Sequence, residues 1–181
     1  INSGSILATG VVTAAAVTSS ADTSIIMVNL STDSVTAVVN QTGPITLTNN
    51  KTFTVSADTA TSGGTGDISV TTTAGNINVG LIDAGSETVT LNAAAAIDAA
   101  ADNATAELRG ATLNLTAATG IGAGGTSLDI ENVTTVSATT ADGNIDIDAI
   151  GGAGTLTFSS VVNNGAVTDN IVIDQSGGQA I

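Results

Sequence analysis

GNIDIDAIGGAGTLTF, residues 143–158, restates in outline a phrase found at residues 75–91, GNINVGLIDAGSETVTL. Both open on Gly-Asn-Ile, alternate apolar with small polar residues, pass through glycines and close on alternating threonine and apolar residues. Alternation with period two is the signature of a half-buried strand, and its return after a fixed interval is the signature of stacked repeats. Working outward, apolar-polar-apolar triplets begin at Ile45, Ile68, Val89, Leu113, Val136 and Leu156, with steps of 23, 21, 24, 23 and 20 residues. A second series begins at Phe53, Ile77, Ile97, Ile121, Ile145 and Ile171, with steps of 24, 20, 24, 24 and 26. The two opening phrases lie 68 residues apart, three periods of the same repeat.

A unit this short cannot bury its own apolar side, whereas stacked copies can. The expected fold is therefore all-β, a parallel β-helix (β-solenoid) with coils of about 22 residues over 45–181. Six coils at the spacing of paired strands make a rod about 29 Å long. A third apolar set near Leu81, Leu108, Leu128 and Ile150 is expected to supply a third face and a triangular section. Glycine-rich stretches at 63–66, 120–125 and 151–154 are read as corners. VVNNGAV at 161–167 is read as a protruding hairpin or loop. Residues 1–44 fit the period less well and are expected to form an N-terminal cap or interaction segment. An antiparallel sandwich also uses short strands and regular turns, but gives no reason for one phrase to return in phase.

Composition agrees with a solenoid and excludes several functions. The 181 residues include two Phe and no Trp, Tyr, Cys or His, so the core is aliphatic and a Ser-His or Cys-His nucleophile is absent. Sixteen acidic residues stand against Lys51 and Arg109, a net charge of −14, which repels nucleic acid. No apolar run is long enough to cross a bilayer. The chain starts at Ile1 with no basic leader, which reads as a processed chain or a piece of a longer one.

These residue phrases bear a likeness. GNINVGLIDAGSETVTLNAAAAI (75–97), ATLNLTAATGIGAGG (111–125) and TADGNIDIDAIGGAGTLTF (140–158) resemble the repeat regions of filamentous-haemagglutinin-like bacterial adhesins and related S-layer-type surface proteins. The resemblance spans roughly 45–173 and implies a right-handed parallel β-helix, export to the bacterial cell surface, and a role in adhesion or matrix building without catalysis. The Asn-Pro-Asn-Gly motif of that family's secretion domain is missing, since Pro44 is the only proline.

Candidate sites follow from the outward positions. Asp146 and Asp148, about 7 Å apart on one strand, are the carboxylate pair a glycosidase would need, but few aromatics remain to stack a sugar ring. With Asp174 one coil on, the same carboxylates would take calcium as cofactor, although the GGxGxDxUx calcium repeat is absent. Outward residues of the first series form a ladder of Thr46, Thr48, Ser69, Thr71, Thr90, Asn92, Asn114, Thr116, Ser137, Thr139, Thr157 and Ser159. Such a ladder suits exposed strands in any case, and as an alternative function could order water or meet a carbohydrate. Asn29, Asn40, Asn50, Asn103, Asn114 and Asn132 head Asn-x-Ser/Thr triplets, the glycosylation pattern. The sequence thus predicts a non-enzymatic, extracellular structural protein. Its partners would be copies of itself in a filament or lattice, the remainder of a larger surface protein, or a glycan or cell surface.

Overall fold

The computed structural model describes residues 4–60, 63–101, 103–123, 125–166, 168–178 and 180–181. They form a β-solenoid of about seven turns of about 22 residues, with every strand pairing parallel to the strand one coil away and no helix among the described residues. The first ladder stacks Ile45–Asn49, Ile68–Thr72, Thr88–Ala93, Thr112–Ala117, Thr135–Thr140 and Thr157–Asn163. The second stacks Phe53–Asp58, Ile77–Asp83, Ala96–Ala99, Gly120–Ile121, Ile145–Gly151 and Ile171–Gln175. A third, shorter ladder joins the trailing ends of the second to Leu108–Arg109 and Leu128–Glu131.

The inward side chains pile into continuous rows because a parallel register repeats each position one coil away. Ile25, Ile45, Ile68, Val89, Leu113 and Val136 form one row, and Phe53, Ile77, Ile97, Ile121 and Ile145 another, all at most 1% exposed. Each coil adds the apolar surface that covers its neighbour, which is why unconnected short strands are stable here.

The third row corrects the expected one. It consists of Ala57, Ile82, Leu108, Ile130 and Ala149, all buried. Leu81 and Ile150 lie outside it and are only half-buried. The register shifts between Val55 and Ser56, leaving Gly80 as the extra residue, so Leu81 turns outward and Ile82 inward. A second shift between Ile130 and Glu131 leaves Ile150 unpaired in the same way. A bulge of one residue exchanges the faces of everything after it. Leu128 is buried as expected, opposite Ile147.

The last coil shifts too. Val136 lies opposite Phe158, not Leu156, and Ser137 opposite Ser160. Ser159 is the extra residue, its hydroxyl donating to the Val136 carbonyl at 3.1 Å. Among the described residues no hairpin follows: Thr157–Asn163 pairs only in parallel, and the connection after it is drawn down onto the previous corner. There Asn163 Nδ2 donates to the Gly143 carbonyl at 2.7 Å, while Asp169 Oδ2 accepts from the Gly143 and Ala166 amides. Val167, within the expected hairpin, lies outside the described residues.

Residues 5–39 stack on the same ladders with a shorter repeat, Val12 lying opposite Leu30 and Ile25 opposite Ile45. The corners depend on glycine where coils touch most closely. Gly143 has φ +79°, and a Cβ there would run into the Thr119 carbonyl oxygen of the coil beside it.

Candidate functional site

The two cations are engaged by neighbours. Lys51 Nζ lies 2.5 Å from Asp33 Oδ1. Arg109 stands in register between Asp83 and Glu131, with Nε donating to Glu131 Oε2 at 2.7 Å and Nη1 lying 3.8 Å from Asp83 Oδ2. The guanidinium thus separates two carboxylates that stacking would otherwise place two rungs apart with nothing of opposite sign between them. Neither cation is left to hold a substrate carboxylate or phosphate.

The three aspartates expected to take calcium are brought together only in pairs. Asp146 and Asp148 are half-buried, two residues apart on Ile145–Gly151, and Asp148 lies opposite Asp174 whereas Asp146 lies opposite Val172. Asp148 accepts the Ser176 hydroxyl on both oxygens, at 3.1 and 3.2 Å, and Asp174 Oδ1 accepts the Gln175 amide at 2.7 Å. Among the described residues no three acidic side chains converge as a metal ion requires.

The sequence reading caught only the step from Asp148 to Asp174 of an acidic row that extends two coils further. Asp129 lies opposite Asp148, itself opposite Asp174, and the Asp129 amide donates to Glu107 Oε2 at 2.9 Å on the coil before. Glu107 and Asp129 are buried, at 2% and 6% exposure, and Ser127 donates its hydroxyl to Asp129. The extension to Asp129 and Glu107 was hidden because the spacings between its members vary with each corner.

Asp146 titrates above its ordinary value of 3.8, first because burial disfavours its charge and then because Asp148 and Asp174 repel it. The folded chain therefore binds this proton more tightly than the unfolded chain. The stabilisation from protonation is present below 3.8 and is lost as pH rises through the raised value. Asp146→Asn is expected to raise the melting temperature at pH 7, with the gain vanishing at about pH 3. A lower melting temperature at pH 7 would instead show that the carboxylate serves a stabilising contact.

The outward side of the first ladder is a regular polar face. One line of side chains across the coils runs Thr46, Ser69, Thr90, Asn114, Ser137 and Ser160, and a second runs Thr48, Thr71, Asn92, Thr116, Thr139 and Val162. The bulge at Ser159 thus removes that residue from the expected ladder and puts Ser160 and Val162 on its last rung. Thr157 belongs to a third line the sequence reading did not see, Thr88, Thr112, Thr135 and Thr157, uninterrupted over four coils.

A notch of about 110 Å³ opens beside Val11, Val28, Asn29, Thr48, Asn50 and Thr73, where the strand kinks between Met27 and Leu30. Among the described residues no titratable side chain lines it. Of the glycosylation-pattern residues, Asn29, Asn50, Asn103, Asn114 and Asn132 are exposed, whereas Asn40 is half-buried and donates its amide to Ser20 Oγ and the Ala21 carbonyl. The chain matches no known protein family, no curated protein and no solved structure.

Proposed function

We propose that this chain is a non-catalytic structural rod of the bacterial surface, working outside the cell either as one stretch of a longer adhesin-like protein or as a subunit joined end to end with others. The observation that carries this reading is where apolar surface is left. Among the described residues the large exposed apolar side chains are Leu7, Val11, Val162, Ile171, Val172 and Ile181, all in the first and last coils. The sides of the rod between them are mainly polar or acidic, with outward apolar residues such as Leu81 half-buried. A parallel strand edge with apolar neighbours is a template for another coil, whether of the same polypeptide or of a second copy. The lack of His and Cys and the engagement of both cations by carboxylates support the non-catalytic part of the reading.

Electron microscopy of the purified chain, with and without millimolar calcium, tests it. Fibres one rod wide are the result expected of a self-joining subunit, and separate short rods that of a module within a longer protein. Globular, irregular particles would overturn the structural reading. Fibres formed only with calcium would bring Asp146, Asp148 and Asp174 back as ligands between copies.

A further inference from the structure

We propose that the outward face of the first ladder binds crystalline water, so that the rod adheres to ice. The inference is separate from the end-to-end reading, because the face lies along the side of the rod. Its three lines hold Thr88, Thr112, Thr135 and Thr157 beside the two six-membered lines that begin at Thr46 and Thr48. Every position but Val162 bears a hydroxyl or carboxamide, and none bears a charge in a chain of net charge −14. One acidic residue adjoins it: Asp67 precedes Ile68 as Thr88 precedes Val89, so it takes the rung before Thr88 and ends the threonine line there, its carboxylate accepting the Thr88 amide.

A second observation points the same way. None of these side chains is spent on a hydrogen bond within the described protein. Threonines at the corners are spent: Thr32, Thr59, Thr72, Thr134 and Thr140 donate to backbone carbonyls. The face therefore directs its hydrogen-bonding capacity outward as a fixed grid. The backbone ladder sets its repeats at about 4.8 Å between coils and about 6.7 Å along each strand. The spacing between coils lies close to the shorter oxygen repeat on a prism face of hexagonal ice, and the spacing along the strand falls somewhat short of the longer one.

Other partners fit less well. An ionic ligand finds no charge, and a sugar finds no aromatic platform. A second copy would gain too little: the grid measures about 24 Å by about 13 Å between outer Cα atoms, on the order of 500 Å² with its margins, below the ~800 Å² per partner of a stable interface. An ice lattice asks for flatness, fixed spacing and absence of charge, since a charged group holds water in an orientation the lattice cannot accept. Threonine adds a methyl group beside each hydroxyl and has few rotamers to lose.

The test is inhibition of ice recrystallisation, together with thermal hysteresis, by the whole chain at micromolar concentration. The wild-type protein is expected to hold crystals small and faceted. The double variant T112E/T135E, at the centre of the uninterrupted threonine line, is expected to lose at least tenfold in potency with unchanged circular dichroism. Thr36→Glu, on an exposed strand position of another face, is expected to retain full potency. T112A/T135A gives the same reading should the glutamates unfold the rod. Ordinary crystal growth with the wild type, or undiminished potency in the double variants, would overturn the proposal.

Discussion

Asn49→Ala is expected to destabilise the rod by about 3 kcal/mol or more, a large effect for a polar residue. Asn49 is fully buried at the corner after Ile45–Asn49. Its side chain there substitutes for a missing strand partner. Oδ1 accepts the Thr32 amide at 3.1 Å, and Nδ2 donates to the carbonyls of Thr32 and Lys51, both at 3.0 Å. Truncation leaves one buried donor and two acceptors without their partner, each costing about 1–3 kcal/mol if water does not enter. N49D is the sharper probe, because a carboxylate can accept from Thr32 but cannot donate to either carbonyl. It is expected to be at least as damaging at pH 7, and to recover in part in acid, where a protonated carboxyl donates once. Chemical denaturation of the three proteins reads the effect; equal midpoints for N49A and wild type would show that the amide network adds nothing.

Ile121→Ala is expected to cost about 3 kcal/mol, within the range for removing a buried isoleucine down to its Cβ. Ile121 is fully buried between Ile97 and Ile145, so the void has walls on both sides along the row. Corner glycines beside it leave little freedom for collapse: a Cβ on Gly122, at φ +64°, would strike the Asp146 carbonyl oxygen. Ile171→Ala, in the same row but on the last coil, is expected to cost less than about 1 kcal/mol, since Ile171 is already 46% exposed. Thermal or urea unfolding of both variants compares them directly. Equal losses would mean that the last coil is covered in solution, as end-to-end association would require.

Much of the second ladder was legible because its rule is local. Phe53, Ile77, Ile97, Ile121, Ile145 and Ile171 each stand at or next to the start of a strand just after a corner, and the structure pairs each with the next. The third face was legible only in part. Leu81 and Ile82 are equally apolar neighbours, and nothing in either residue says which one Gly80 will turn inward. Asn49 was invisible for a related reason. TNNKT reads as an ordinary polar turn, and its role as a buried bridge arises only when Thr32, 17 residues earlier, is brought against it.

The same division runs through the candidate sites. The sequence placed Thr46, Thr48, Ser69 and Thr71 facing outward together, because alternation and period suffice for that. It misplaced Ser159, and it overlooked the line through Thr88, Thr112, Thr135 and Thr157 because strand ends depend on where pairing begins.

By itself the sequence determined that this chain stacks: an aliphatic alternating pattern with a period near 22 residues has few ways to bury its apolar side, and coiling in parallel is the one that returns each phrase to its own kind. Only the tertiary structure decided which residue shares a rung with which, because corners of unequal length and single-residue bulges set the register, and register is fixed by backbone pairing and close packing between coils rather than by any one segment's preference.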